Sequence, residues 1–141
     1  MPKIDIIILC GGRGKRLKSL TTKTPKPLLK IDKKKPFLEY LINFFLKSKN
    51  VDKVILACGY KVELFQKLVN KKFKKELRIK IIDSGRVDII KRIKSCEKVI
   101  SNSFMICYGD SFATIDLKKY LSFFNKNKKY GLVLSSFFKF Q

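Results

Sequence analysis

Short apolar runs alternate along this chain with segments whose apolar residues recur at helical spacing. The apolar runs predict strands at Ile4–Leu9, Val54–Cys58, Ile79–Ile82, Phe104–Tyr108 and Gly131–Phe138. The segments with helical spacing predict helices at Phe37–Leu46, Val62–Val69, Ile89–Ile100 and Leu117–Phe124. Such alternation favours an α/β fold, with a mainly parallel Rossmann-like sheet and helices on both faces.

The ends of the predicted strands indicate where a ligand would bind. In parallel sheets of this kind, ligands bind outside the carboxyl ends of the strands. Three polar or glycine-containing segments follow predicted strands at that edge, namely Cys10–Arg16, Gly59-Tyr60 and Gly109-Asp110. The strand pattern therefore predicts that these three segments meet at one site.

The segment Leu9–Leu28 joins glycines, basic residues and a rigid Pro-Lys-Pro directly after the first predicted strand. Glycines at Gly11, Gly12 and Gly14 let the backbone pass close to a bulky anion and direct N–H groups at it. Four basic side chains, which add positive charge to the same turn, are Arg13, Lys15, Arg16 and Lys18. The segment predicts a site for a phosphate-rich ligand.

A simpler interpretation is that these glycines only make a tight turn, as they do in many α/β proteins. The segment matches neither G-x-x-x-x-G-K-[ST] nor a G-x-G-x-x-G that opens a helix. Phosphate binding is favoured by the combination of the glycines with Arg16 and with Lys26, which stands between two prolines.

The ordered motifs resemble those of the nucleoside-triphosphate:sugar-1-phosphate nucleotidylyltransferases. The family's G-G-x-G-[ST]-R-L is similar to Gly11–Leu17, with Lys15 in place of Thr or Ser, and its P-K-P-[LM] is similar to Pro25–Leu28. The resemblance continues through Lys35–Tyr40, Cys58–Lys61, Ile82–Gly85, Lys91–Ile93 and Tyr108–Asp110. It therefore covers essentially the whole chain.

The resemblance implies transfer of a nucleotidyl group from an NTP to a sugar 1-phosphate, with release of pyrophosphate. It implies that Arg16 neutralises the leaving pyrophosphate, that Lys26 bridges the α-phosphate and the incoming phosphate, and that Asp110 binds Mg²⁺. The nucleotide-binding residues it implies are Leu9, Cys10, Gly11, Gly12, Arg13, Gly14, Lys15, Ser84, Gly85, Arg86 and Gly109. On local sequence alone, a turn or helix-cap aspartate is the favoured interpretation of Asp110, and it is the resemblance that favours a metal ligand.

Among the branches of the family, the chain looks most like glucose-1-phosphate cytidylyltransferase, which favours CTP as the donor. That branch carries D-T-G, then T-G-G-R-[LI]-K-R, then T-Y-G-D-G. The middle motif lacks its Gly-Gly here, since the chain reads Ser84–Arg92, and Ser111 replaces the last glycine. Arg86 is a candidate for the missing loop arginine.

Charge and cysteine usage narrow the classes of partner. The chain carries 33 basic and 11 acidic residues, and only five of the basic residues are arginines. Lysines scattered over helices and loops indicate a solvated surface that attracts phosphorylated substrates, and they show no module for specific nucleic-acid binding. The four cysteines form no C-x-x-C pair and no histidine is present, so zinc is not expected. We expect a cytoplasmic protein with no membrane segment.

The length of 141 residues predicts a single domain, 1–141. Members of the resembled family continue well beyond this length, so the domain is expected to be an incomplete nucleotide-binding domain. The apolar stretch Leu132–Phe140 predicts a surface covered by a missing C-terminal half or by a partner chain in an oligomer. The alternative function is a remnant that binds nucleotide or a partner without turnover.

Overall fold

A computed structural model describes residues 3–14, 17, 19–32, 34–101 and 103–127. The strands are β1 (Ile4–Leu9), β2 (Val51–Cys58), β3 (Ile79–Asp83) and β4 (Phe104–Tyr108). The helices are α1 (Ser19–Lys23), α2 (Phe37–Leu46), α3 (Val62–Lys72), α4 (Ile89–Lys94) and α5 (Leu117–Lys126), with single 3-10 turns at Lys26–Leu28 and Glu97–Val99. None of the described helices is long and apolar enough to cross a membrane.

The four strands form one parallel sheet in the order β3-β2-β1-β4. Ile7 of β1 lies opposite Ile55 of β2 and Ile106 of β4, so β1 sits between two neighbours. The predicted α/β class with a mainly parallel sheet is confirmed. Because all strands run the same way, their carboxyl ends lie along one edge of the sheet.

Helices cover both faces of the sheet, as predicted. Alternate residues of each strand point to opposite faces. One face packs Ile6 and Leu56 against α2, α3 and α5, and this cluster forms the larger core. The other face packs Ile7 and Ile55 against Cys96 and the α4 side of the chain.

Several element bounds differ from the predicted ones. The helix predicted over Ile89–Ile100 ends at Lys94, and the Ser95 hydroxyl donates a hydrogen bond of 2.6 Å to the Arg92 carbonyl. Such a bond competes with continuation of the helix. The helix α1 was not predicted, because five residues are too few to show a period. The strand predicted at Gly131–Phe138 lies outside the described residues.

The strand β4 is the less enclosed edge of the described sheet. Met105 and Cys107 pack against the larger core. Phe104, Ile106 and Tyr108 point to the other face and are exposed. The edge beside the carboxyl end of β4 is therefore open, whereas β1 and β2 are buried along almost their whole length.

Candidate active site

A cavity of about 400 Å³ opens at the carboxyl ends of β1 and β4. The predicted site residues on its wall are Leu9, Cys10, Gly11, Gly12, Gly14, Lys26 and Asp110. Residues on the wall that the sequence had not assigned are Leu17, Pro27, Ile89, Arg92 and Tyr108. The structure thus brings together the turn Gly11–Gly14, called the glycine turn below, Lys26 between its two prolines, and the pair Gly109-Asp110.

Lys26 and Asp110 form an ion pair on this wall. The Lys26 Nζ atom lies 2.5 Å from the Asp110 Oδ2 atom, although the two residues are 84 positions apart in the chain. The hydrogen bond from Lys26 lowers the pKa of the Asp110 carboxyl from its ordinary value. Both side chains keep substantial solvent exposure, 43% for Lys26 and 32% for Asp110, so a ligand entering the cavity can reach them.

Local backbone geometry places the two members of the pair. Lys26 begins a single 3-10 turn in which the Leu28 N–H donates to the Pro25 carbonyl at 2.9 Å. Asp110 follows Gly109, whose N–H donates to the Leu9 carbonyl at 3.0 Å. A side chain at Gly109 would crowd both that carbonyl and the Pro27 ring. The absence of a side chain there lets the turn after β4 approach the end of β1.

Asp110 could contribute one carboxylate to a metal ion. Its Oδ1 atom lies 3.3 Å from the Ser111 hydroxyl, and within the described part of the chain no three or more His, Cys, Asp or Glu side chains gather to hold a metal. A single carboxylate at the mouth of a cavity fits Mg²⁺, which commonly takes one or two protein carboxylates together with phosphate oxygens and water.

The backbone of the glycine turn is held by a hydrogen bond from α1. Gly14 has φ +62°, a left-handed conformation that glycine adopts without a steric cost. Its carbonyl accepts a hydrogen bond of 2.8 Å from the Thr21 hydroxyl, and Thr21 is buried. Arg13 is exposed, and its guanidinium lies 5.6 Å from the centre of the Tyr60 ring. Lys15 and Arg16 lie outside the described residues, so their roles stay predictions.

Arg92 lines the cavity, although its sequence motif predicted no role for it. It is only 6% exposed. Its Nη1 atom donates to the Cys58 carbonyl at 2.6 Å and to the Ser84 hydroxyl at 2.7 Å, and its Nη2 atom donates to the carbonyls of Gly85 and Val87, each at 3.2 Å. Its guanidinium therefore joins the end of β2 to the turn that follows β3.

The guanidinium of Arg92 also lies against two glycines. A Cβ atom added at Gly11 or at Gly59 would overlap it. Arg92 shares a helix face with Ile89, because residues three apart are neighbours on a helix. Ile89 also lines the cavity but is 49% exposed, so this spacing indicates that Arg92 faces the cavity and does not predict its burial.

Three further predicted residues, Ser84, Gly85 and Arg86, do not lie on the cavity wall. Ser84 and Gly85 contact the cavity through Arg92, and Arg86 is exposed. The place of the missing Gly-Gly is taken by a turn that ends at Asp88, whose carboxylate accepts from the Lys91 N–H at 2.9 Å and caps α4. That hydrogen bond lowers the pKa of Asp88. The binding roles of Ser84, Gly85 and Arg86 stay predictions.

Comparisons with known proteins show similarity over most of the chain. A family model described as nucleotidyl transferase matches residues 5–139. The D-glycero-alpha-D-manno-heptose 1-phosphate guanylyltransferase of Campylobacter jejuni subsp. jejuni is 40% identical over 119 residues, which are 82% of this chain and 52% of that protein. The choline-phosphate cytidylyltransferase of Streptococcus pneumoniae is 43% identical over 65 residues, which are 46% of this chain and 28% of that protein.

A similar solved structure is the crystal structure of HddC from Yersinia pseudotuberculosis complexed with GMP-PN. It superposes with a TM-score of 0.73 at 32% identity, covering 86% of this chain and 54% of the HddC chain. The chain thus spans about half the length of the guanylyltransferase and of HddC.

Proposed function

The chain belongs to the nucleotidyl transferase family, and from that premise we propose that it transfers a nucleotidyl group from an NTP to a sugar 1-phosphate, with release of pyrophosphate. The observation that carries the proposal is the meeting of the glycine turn, Lys26 and Asp110 around one cavity. This combination offers backbone N–H groups and a cation to phosphates and a carboxylate to a metal.

The proposed reaction is an in-line displacement at the α-phosphorus. An oxygen of the sugar 1-phosphate forms the new P–O bond, and the bond from the α-phosphorus to the oxygen that bridges it to the β-phosphorus breaks. Pyrophosphate leaves with the electron pair of that bond. Positioning and neutralisation of charge dominate the catalysis of such transfers, so a chain without histidine can supply what the step needs.

Each group around the cavity has a proposed role in this transfer. The backbone of Gly11, Gly12 and Gly14 would bind the triphosphate, and Lys26 would neutralise charge on the α-phosphate and the incoming phosphate. Asp110 would hold Mg²⁺, which supplies further neutralisation of phosphate charge when bound. Arg16 is proposed to face the leaving pyrophosphate.

The donor nucleotide belongs to this proposal. The sequence motifs favour CTP, whereas the Campylobacter jejuni relative is named as a guanylyltransferase and the HddC structure holds GMP-PN. The turn at Ser84–Asp88 carries no Gly-Gly, so its shape gives no independent preference for either base. GTP and CTP are therefore the two donors to compare first.

The test is release of pyrophosphate by the purified chain with Mg²⁺, each NTP in turn, and glucose 1-phosphate or a heptose 1-phosphate. Lys26→Met should lower the rate by roughly 100- to 1000-fold, the usual cost of removing a donor aimed at developing charge. Lys30→Met is the matched control, because Lys30 is an exposed lysine four positions further on. Equal rates for wild type and Lys26→Met would exclude the proposed role of Lys26.

A second candidate function is nucleotide or partner binding without turnover, which requires only the glycine turn and the cavity that the described residues form. It predicts no pyrophosphate release with any donor, together with a rise in melting temperature on adding GTP or CTP. No release and no stabilisation by any NTP would reject both nucleotidyl transfer and nucleotide binding. A cytoplasmic setting, which holds NTPs and keeps thiols reduced, is proposed from the four free cysteines.

A further inference from the structure

The turn between β2 and α3 contacts the helix that follows the glycine turn. The Tyr60 hydroxyl lies 3.0 Å from the Thr22 carbonyl and 3.3 Å from the Thr21 carbonyl. The Lys61 Nζ atom donates to the Lys23 carbonyl at 3.0 Å. These carbonyls belong to the last three residues of α1. Tyr60 and Lys61 therefore supply donors to the carboxyl end of α1.

Through α1, these contacts reach the glycine turn. Thr21, in the middle of α1, donates from its hydroxyl to the Gly14 carbonyl at 2.8 Å, and the Leu17 N–H donates to the same carbonyl at 2.9 Å. Thr21 is only 2% exposed, so a shift of α1 is transmitted to Gly14 rather than absorbed by solvent.

The Tyr60 ring also contacts the glycine turn more directly. The Arg13 guanidinium and the Lys61 ammonium each lie 5.6 Å from the centre of that ring, within the range of cation–π attraction. Arg13 stands between Gly12 and Gly14. One side chain thus contacts both the glycine turn and the helix that follows it.

The backbone of Lys61 is held in an uncommon conformation. Its φ is 51°, the only positive φ of a non-glycine residue in the described ranges. A residue with a side chain adopts this region at an energetic cost. Here the conformation comes at the start of α3, in a residue whose ammonium reaches α1 while its neighbour Tyr60 contacts the same helix.

We propose that Tyr60 and Lys61 are positioning residues that hold the Gly11–Gly14 backbone in the shape that binds the phosphates of an NTP. The inference rests on the proposed function, since the ligand of the glycine turn comes from there. Neither residue lies on the cavity wall. Their loss therefore weakens nucleotide binding through the turn and leaves the groups that face the reacting phosphates in place.

The test measures affinity of the whole chain for GTP and CTP, with Mg²⁺, by calorimetry, alongside melting temperature without nucleotide. Tyr60→Phe keeps the ring and removes the hydroxyl, and Lys61→Met keeps most of the stem and removes the donor. Each should weaken NTP binding roughly 3- to 10-fold, the range expected for one lost hydrogen bond. Lys61→Arg restores a donor and should recover most of the affinity.

Two matched controls separate this role from general damage. Tyr40→Phe also removes one tyrosine hydroxyl. That hydroxyl donates to the Asp32 carboxylate at 2.6 Å, and neither Tyr40 nor Asp32 lies on the cavity wall. Lys67→Met removes one positive charge from the exposed surface of α3. Neither should change NTP affinity.

The outcomes distinguish this inference from the function on which it rests. A wild-type chain that binds no NTP overturns the proposed function. A wild-type chain that binds NTP, with Tyr60→Phe and Lys61→Met binding equally well, overturns the positioning role alone. If the controls weaken binding as much as the two variants do, the effect is general stability or surface charge, and the positioning role is again wrong. Where turnover is measurable, a raised KM with kcat unchanged is the result expected of the two variants.

Discussion

Asp5 and Asp110 stand at opposite ends of the same pair of strands. Asp5 lies opposite Phe104 at the amino end of the β1–β4 ladder, and Asp110 follows Tyr108 at its carboxyl end. Each aspartate meets one lysine, with Lys53 Nζ 3.6 Å from Asp5 and Lys26 Nζ 2.5 Å from Asp110. The Asp5 side chain is 1% exposed and the Asp110 side chain is 32% exposed.

The two carboxylates do different work because their surroundings differ. The Asp5 Oδ2 atom accepts from the Ser101 N–H at 2.8 Å and so ties the segment before β4 to β1. Its Oδ1 atom is buried and meets no hydrogen-bond donor among the described residues. Asp110 faces a cavity instead. The amino end of the sheet is closed and holds the fold together, whereas the carboxyl end is open and holds the candidate site.

The largest effect is expected from Asp110→Asn, which should impair the candidate site at the carboxyl end of the sheet and leave the amino end unchanged. Pyrophosphate release should fall by roughly 100- to 1000-fold, in proportion to the loss of a group that acts on developing charge. The free energy of unfolding in urea should fall by less than about 1 kcal/mol, because the ion pair that the substitution breaks is partly exposed. Asp116→Asn, which changes a helix cap on α5, is the control and should leave turnover unchanged.

Asp5→Ala should destabilise the amino end of the sheet and leave the candidate site at the carboxyl end unchanged. It removes a buried carboxylate that accepts from the Ser101 N–H and pairs with Lys53, so we expect the free energy of unfolding to fall by about 1–3 kcal/mol. Affinity for the NTP, measured below the new melting temperature, should be unchanged. Loss of affinity in a folded Asp5→Ala chain would contradict the separation of the two ends.

The smallest effect is expected on stability, from Lys26→Met. The Lys26 hydrogen bond lowers the pKa of Asp110 in the folded chain, so the pair adds stability above the unfolded carboxyl pKa of about 3.9, and this stability is lost as pH falls through the folded pKa. Since both side chains are partly exposed, the difference between wild type and Lys26→Met should be below about 1 kcal/mol at pH 7. It should shrink as the pH falls through the folded pKa of Asp110, as followed by urea unfolding at each pH.

A titration of the Asp110 carboxyl by NMR checks the same point directly. Its pKa should rise in Lys26→Met toward the ordinary aspartate value. An unchanged pKa would show that the ion pair does not form in solution, and the contrast between the two aspartates would then rest on burial alone.

Periodicity was enough to predict most of the fold and the edge where the site lies. The bounds of α2 and β4 agree with the predicted ones. Pro36 directly precedes the first residue of α2, and Gly109 directly follows the last residue of β4. Convergence of the glycine turn with Gly109-Asp110 followed from parallel strands whose carboxyl ends share an edge.

The contacts between distant segments were not predictable in the same way. Arg92 bonds backbone carbonyls as far as 34 positions away in the chain, and every residue has a carbonyl, so no residue type marks these partners. The donors from Tyr60 and Lys61 reach a helix that is too short to show a period. Such contacts depend on how the turns lie against one another after the sheet has formed.

The burial of Cys10 next to the glycine turn has a chemical consequence. Burial, with a hydrogen bond to Cys58, raises the pKa of the Cys10 thiol well above its ordinary value. Only a thiolate reacts readily with alkylating reagents, so Cys10 is protected from them while it stays buried. Its labelling rate in the native chain therefore reports how often this buried site opens, and a ligand that binds only the native chain should slow any labelling that requires unfolding.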